Sequence, residues 1–347
     1  MRLTSYSIII FIITSFNFLI TSNSLVAGDT AVILMYHRFG ETTYPSTNVR
    51  LKQFDRHLAE LRDKNYNVLP VRKIISKLKV GDSLPEKTVG ITIDDGYKSV
   101  FTEAWPRFRK FNFPFTVFIS TALIGKSSKK YMSWEQLRIL KGAGVDIGAH
   151  TNTHNHMATS SRSINIREIL TSNEKYLTEI GAIPDIFAYP YGESSTEVQN
   201  LVKKLGYKSA FGQHSGPIDK KSDFFNMPRY ALNENYGDMR RFRLVLRTIP
   251  LPITELVPKS PLVLNNNPPS LGFTINSETL KFNSLSCFSS RTGKLQLERL
   301  GRRIEIRMPK LLPSGRTRVN CTMPREDGRW HWFGRLFVVP KLTNVTN

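Results

Sequence analysis

Cysteine is scarce: the 347 residues hold two, Cys287 and Cys321, both in the last quarter. At most one disulfide is available, so the fold cannot rest on a disulfide framework. Beyond residues 8–20 no run is apolar and long enough to cross a membrane, which excludes a multi-span protein. There is no internal repeat and no low-complexity tract, which excludes a repeat architecture. Acidic residues are also short, with 28 Asp and Glu against 49 Lys and Arg, a formal net charge of +21. The remainder is ordinary: 40% apolar residues and 11% aromatics supply a real core, at a length that favours two domains.

The first residues stand apart. Arg2 precedes "IIIFIITSFNFLI" (8–20), a short apolar run broken by Thr14, Ser15 and Asn17, and "TSNSLVAG" follows. A positive start, an apolar middle and a small-residue exit make a secretory signal peptide over residues 1–27, with cleavage after Ser24 or Ala27. The alternative is an uncleaved anchor, for which the run is short. Export to the periplasm, cell envelope or exterior follows, and an oxidising compartment would let Cys287 pair with Cys321. From Lys281 to the end, fourteen Lys and Arg meet four Asp and Glu, a net of +10. In an exported chain that charge points to an anionic envelope glycan or a lipid surface, and away from nucleic acid.

Apolar runs of strand length alternate with helical patterns over residues 28–249. "AVILMYH", "TVGITI", "FPFTVFIS", "VDIGAH", "DIFAYP" and "YKSAFG" read as strands. "FDRHLAELRDKN", "SVFTEAWPRFRKF", residues 162–180 and "STEVQNLVKKLG" read as helices, and Ser133 with Gln136 forms a capping box. Strands apolar on both faces, joined by helices, are parallel and buried. The unit is a closed or nearly closed β/α barrel, with a doubly wound open sheet as the alternative. The rhythm stops in a Pro- and Asn-rich linker at 250–269. Short β-type runs then fill 270–347, a small sandwich-like all-β domain.

Chemistry collects at the strand ends. Asp94 and Asp95 close one strand, His150 closes another, and His154 follows in "HTNTH". Asp-Gly alone is turn chemistry. Two imidazoles and a carboxylate, however, make an N,N,O set for one divalent ion, most simply zinc, with positions left for water. Successive side chains of an extended segment point opposite ways. One aspartate can then ligate while its neighbour faces the bound water as a base. Gly96 lets the backbone turn beside the ion.

"TIDDG", "HTNTH" and "FAYPYG", in that order, resemble the first three motifs of the polysaccharide deacetylases (the NodB-homology family, carbohydrate esterase family four). "VILMYHRFG" resembles the opening strand of the exopolysaccharide-deacetylase branch, and the likeness spans about residues 30–235. It implies a distorted β/α barrel and metal-dependent removal of acetyl from an N-acetylglucosamine-containing glycan. It makes Asp94 the general base, makes Asp95, His150 and His154 the metal ligands, and gives the Tyr191 N–H to the oxyanion.

Two family features are missing. The arginine expected before "PYG" is Ala188, and the late Leu-x-His motif is not evident. Arg229 in "MPRY" is a substitute for the arginine or, with His37 and Tyr97, part of the substrate-binding lining. His214 in "FGQHSG" is the candidate acid, with His37 its rival. His156 reads as exposed and without a role. Trp330 and Trp332 share a strand face and serve either a sandwich core or sugar stacking. The gaps leave two alternatives beside the N-deacetylase: an O-acetyl esterase using the same site, and a glycan-binding protein that has lost turnover.

Overall fold

The structure is a computed structural model that describes residues 27–127, 129–278 and 280–341. The expected signal peptide lies almost wholly outside them, and among the described residues no helix is long and apolar enough to cross a membrane.

Six parallel strands form the spine: β1 (Thr30–Tyr36), β2 (Thr88–Ile93), β3 (Thr116–Ile119), β4 (Asp146–Ala149), β5 (Ile186–Ala188) and β6 (Ser209–Phe211). Their order in the sheet is the chain order, each hydrogen-bonded to the next. All six residues of β2 are buried, as a strand covered on both faces requires. Amphipathic helices supply the cover. Helix α1 (Leu51–Asp63) buries Phe54, Leu58 and Leu61, and α2 (Val71–Val80) buries Val71, Ile74, Ile75 and Leu78. Helix α3 (Trp105–Phe111) is preceded by a π-turn at Val100–Ala104, with Pro106 in its first turn, where the missing N–H costs nothing. Helix α4 (Trp134–Gly142) opens with both hydrogen bonds of the Ser133–Gln136 capping box. Helices α5 (Arg162–Ile180) and α6 (Thr196–Lys204) complete the crossovers.

The sheet curls without closing as a regular barrel. Between β6 and β1 runs an irregular segment, residues 224–231. Ala210 N donates to Phe224 O (2.8 Å) and Gly212 N to Met227 O (2.9 Å). At its far end β7 (Tyr230–Ala231) pairs in parallel with Leu34 and Met35 of β1. This stitched seam is what distorts the barrel, and it carries Arg229.

Helix α7 (Met239–Leu246) leads into the β-rich region through β8 (Thr248–Pro250). Residues 253–257, expected within a linker, form strand β9 (Ile253–Val257) on the edge of a four-stranded sheet, paired with β10 (Leu271–Ile275). Its prolines, Pro252 and Pro258, flank the strand, where no ladder N–H is lost. That sheet also contains β12 (Gln296–Leu300) and β13 (Arg303–Arg307). A five-stranded sheet holds β8, β11 (Ser286–Ser289), β14 (Gly315–Pro324) and β15 (Trp330–Val339). Phe273, Ile304 and Ile306 from one sheet share a core with Cys287, Val319, Met323 and Phe337 from the other. Cys287 and Cys321 face each other on β11 and β14 and are disulfide-bonded.

The two units are packed together. The Tyr230 hydroxyl of the barrel donates to Thr248 Oγ1 on β8 (2.9 Å), and Trp332 on β15 meets Tyr230 edge-on at 5.5 Å. Trp332 therefore packs outward against the barrel core, and its Nε1 donates to Asn320 Oδ1 (3.0 Å); it does not fill the β-domain's own core. Gly334 on the same strand lies so close to the barrel that a Cβ would sit 2.0 Å from the Ser215 carbonyl oxygen. Gly334→Ala should therefore destabilise the full chain by about 1–3 kcal/mol through overpacking. Denaturant unfolding, with Gly142→Ala in open space as the control, measures it.

Candidate active site

Three strand ends build the site. β2 gives Asp94, then a turn in which Asp95 (φ 75°) and Gly96 (φ 70°) are both left-handed. The two carboxylates thus diverge because the backbone reverses hand, and not through the pleat of an extended strand. A Cβ on Gly96 would lie 2.9 Å from Ile124 and 3.0 Å from Ile119, so the turn also needs the missing side chain. β4 gives His150, followed by Thr151 (φ 62°) and His154 (φ 65°), whose N–H donates to Thr151 Oγ1 (3.0 Å). β5 leads to Tyr191 (φ 60°) in "PYG". Four non-glycine residues in this region at one mouth store on the order of 1–3 kcal/mol each, a pattern that accompanies functional geometry.

Asp95, His150 and His154 converge. Asp95 Oδ1 lies 3.4 Å from His150 Nε2 and 3.2 Å from His154 Nε2. His150 Nδ1 lies 2.6 Å from the Ala188 carbonyl oxygen and donates to it, which leaves the lone pair on Nε2. Both that Nε2 and Asp95 Oδ1 are buried with no hydrogen-bond partner. The three ligand atoms lie within 4.8 Å of one another. Buried lone pairs aimed at one point are what a divalent cation satisfies, so the residues fit the expected metal. Burial alone would raise the Asp95 pKa, but the facing His150 and His154 hold it well below the usual carboxylate range.

Asp94 is fully buried and is not part of this set. Arg229 grips it in a bidentate pair: Nη1 to Oδ1 at 2.7 Å and Nη2 to Oδ2 at 2.8 Å. The remaining guanidinium donors reach Gly212 O and Thr92 Oγ1. Burial pushes the Asp94 pKa up; Arg229, His150 and His37 outweigh it, and the carboxyl titrates below its ordinary value. Arg229 is thus a fully buried partner of Asp94 and not an exposed lining residue.

The other candidates divide. His37 Nε2 stands 3.9 Å from Asp94 Oδ2 and faces the site. His214 is buried in the loop after β6. Burial, then Arg335 and Arg229, push its pKa down to about 3, so it carries no proton to donate near neutrality. Of the two candidates for the acid, His37 is the one beside Asp94, and burial lowers its pKa as well. Tyr97 is not an open substrate wall either. It is buried between the Arg38 guanidinium (3.4 Å from the ring centroid) and Tyr131 (5.2 Å). His156 is exposed as expected, yet its ring stacks on Tyr191 at 4.1 Å and its Nδ1 meets Glu193 Oε2 at 2.8 Å. Arg38, Tyr131 and Glu193 had no motif to announce them.

Purified protein should take up about one divalent ion per chain. His150→Ala or His154→Ala should abolish stoichiometric uptake in equilibrium dialysis with elemental analysis. Wild-type affinity in either variant would mean the ligands are misassigned.

Comparison with known proteins agrees with this geometry. Residues 81–210 match the family described as Polysaccharide deacetylase. The protein YxkH of Bacillus subtilis (strain 168) is 27% identical over 203 residues, covering 58% of this chain and 71% of that protein. The poly-beta-1,6-N-acetyl-D-glucosamine N-deacetylase of Staphylococcus aureus (strain MRSA252) is 22% identical over 233 residues, or 60% of this chain and 80% of that one. Among solved structures, Streptococcus pyogenes deacetylase PplD in complex with acetate superposes with a TM-score of 0.56 at 22% identity, over 60% of this chain and 94% of that one. IcaB from Ammonifex degensii gives 0.56 at 22%, over 63% and 97%. The two structures share the fold, and the matched residues include Asp94, Asp95, His150, His154 and Tyr191. Over residues 81–210 the α/β unit of this chain is thus similar to the polysaccharide deacetylases.

Proposed function

We propose that the protein hydrolyses the N-acetyl groups of an N-acetylglucosamine polymer in the cell envelope, with one zinc ion as cofactor. The observation that carries this reading is the Asp94–Arg229 pair beside an intact ligand set. A binding protein has no use for a buried, arginine-held carboxylate next to a metal site. The absent arginine at 188, which kept that alternative open, is compensated by Arg229. The polymer class follows the name of the Staphylococcus aureus relative.

The bound ion would supply a water of lowered pKa and a Lewis acid for the acetyl oxygen. Asp95, His150 and His154 would hold it. Asp94 would take the proton from the water as its oxygen adds to the carbonyl carbon. The Tyr191 backbone N–H would donate to the oxyanion; the Tyr191 ring lies 4.4 Å from that of His154, so this residue borders the metal site. The C–N bond then breaks, and the leaving nitrogen needs a proton. His37, 3.9 Å from Asp94, is placed to relay it. Acetate and the free amine are the products. We further propose that the chain is exported by its first 27 residues, and that the basic surface of the β-domain rests on an anionic envelope component.

Acetate release from poly-β-1,6-N-acetylglucosamine, chitin oligosaccharides and an O-acetylated glycan, with and without chelator, tests the reading. Chelator-sensitive release from the N-acetylated polymers is expected; release from the O-acetylated glycan alone would favour the esterase. Asp94→Asn should keep its metal and lose about 10² to 10⁴ in kcat. The pH profile tests Arg229. Because Arg229 helps depress the Asp94 pKa, the base stays ionised well into acid. Arg229→Gln raises that pKa, so the acid limb of kcat/KM should move to higher pH as well as fall in height. An unmoved limb would separate Arg229 from the base.

A further inference from the structure

One network at the site is unused by this mechanism and crosses between the two units. Arg316 lies on β14 of the β-domain. Its Nη1 donates to the Tyr191 carbonyl oxygen (2.9 Å), and its Nε lies 3.7 Å from Glu193 Oε1. Glu193 is buried, and its other oxygen meets His156 Nδ1 at 2.8 Å. The His156 ring lies parallel on Tyr191, with an interplanar angle of 5°. Tyr191 is thus held at its carbonyl by Arg316 and on its ring by His156, while Glu193 ties the two holders together.

What is held is a residue in an unfavourable conformation. Tyr191 sits at φ 60°, ψ 1°, a left-handed position that an L-residue keeps only when its surroundings impose it. Its φ sets the angle between its N–H and the rest of the residue. Fixing the carbonyl and the ring therefore fixes the direction of the N–H, the proposed oxyanion donor. Arg316 is not needed for docking as such. The Tyr230–Thr248 hydrogen bond, the Trp332–Tyr230 contact and the close approach of Gly334 already join the units.

We propose that Arg316 is a positioning residue for the deacetylation reaction: the β-domain completes the active site by clamping the Tyr191 turn through Arg316 and Glu193. This rests on the deacetylase reading, and one arm of its test does not.

Three variants of the full, metal-loaded chain are compared: Arg316→Ala, Arg316→Lys and, as a control, Arg318→Ala on the same strand. In Arg316→Ala, kcat on an acetylated oligosaccharide should fall about 10- to 100-fold, the scale of a misaligned catalytic group, with KM and metal content barely moved. Added guanidinium should restore much of that loss, which no purely structural defect would allow. Arg316→Lys keeps the charge but not the fork, and should also lose kcat while remaining stably folded. Arg318→Ala should behave as wild type. The arm independent of turnover is the Tyr191 amide resonance in ¹⁵N-tyrosine-labelled protein. It should shift in both Arg316 variants and return towards its wild-type position with guanidinium in Arg316→Ala. An unmoved Tyr191 amide, a kcat equal to wild type, or a loss that guanidinium leaves untouched would make Arg316 a domain anchor and overturn the assignment. Wild-type protein releasing no acetate while the amide shifts as expected would instead refute the deacetylase reading alone.

Discussion

The buried pair between Arg229 and Asp94 is the interaction on which the barrel and its site both depend. Both side chains are fully buried, and the guanidinium sits 5.5 Å from the ring centroids of Phe118 and Phe211, in an apolar surround. A charge there cannot be left alone: breaking such a pair costs about 3–5 kcal/mol, because one buried charge is stranded. Arg229 lies on the irregular seam between β6 and β1, and Asp94 ends β2. The stitching of the seam to the sheet and the ionisation of Asp94 are therefore one arrangement. The seam cannot drift without loosening the carboxylate, and the carboxylate cannot take up a proton without weakening the seam.

The metal set obeys a different logic. Asp95 and His154 are held in left-handed backbone, and Asp95 Oδ1 faces the Nε2 atoms of His150 and His154. That arrangement is costly in an empty scaffold and is relieved by a cation. Folding energy from the barrel core maintains strain at the mouth, where it preorganises ligands and donors in advance of substrate. Tyr97 shows how far this extends. Its ring, two residues beyond Asp95, is clamped between Arg38 and Tyr131.

Local patterns in the sequence carried much of this. The six barrel strands, the Ser133 capping box, the Asp94–Asp95–Gly96 turn and the paired histidines all arise within a few residues of one another, where periodicity and turn chemistry act. What could not be read is what the fold brings together. Arg229 meets Asp94 across 135 positions, and nothing in "MPRY" distinguishes a base-holding arginine from a surface one. His214 and His37 both follow strands, and only the seam shows that one is enclosed beside Arg335 while the other faces Asp94. The prolines around residues 253–257 read as a linker because propensity cannot tell an edge strand from a loop. In the sequence the two tryptophans suit either sugar stacking or a local core; Trp332 is claimed by the neighbouring unit instead.

The placement of the disulfide bears on when the protein becomes competent. Cys321 and Arg316 are on the same strand, β14, and Cys287 cross-links that strand to β11. Tyr191, which Arg316 holds, precedes it by 125 positions. During synthesis the barrel sequence is finished long before the strand that bonds its Tyr191 turn, and that strand is cross-linked only after oxidation. With Arg316 in the proposed role, a chain still in a reducing compartment would carry its ligands but a loosened turn. Full competence would then wait on formation of the Cys287–Cys321 bond.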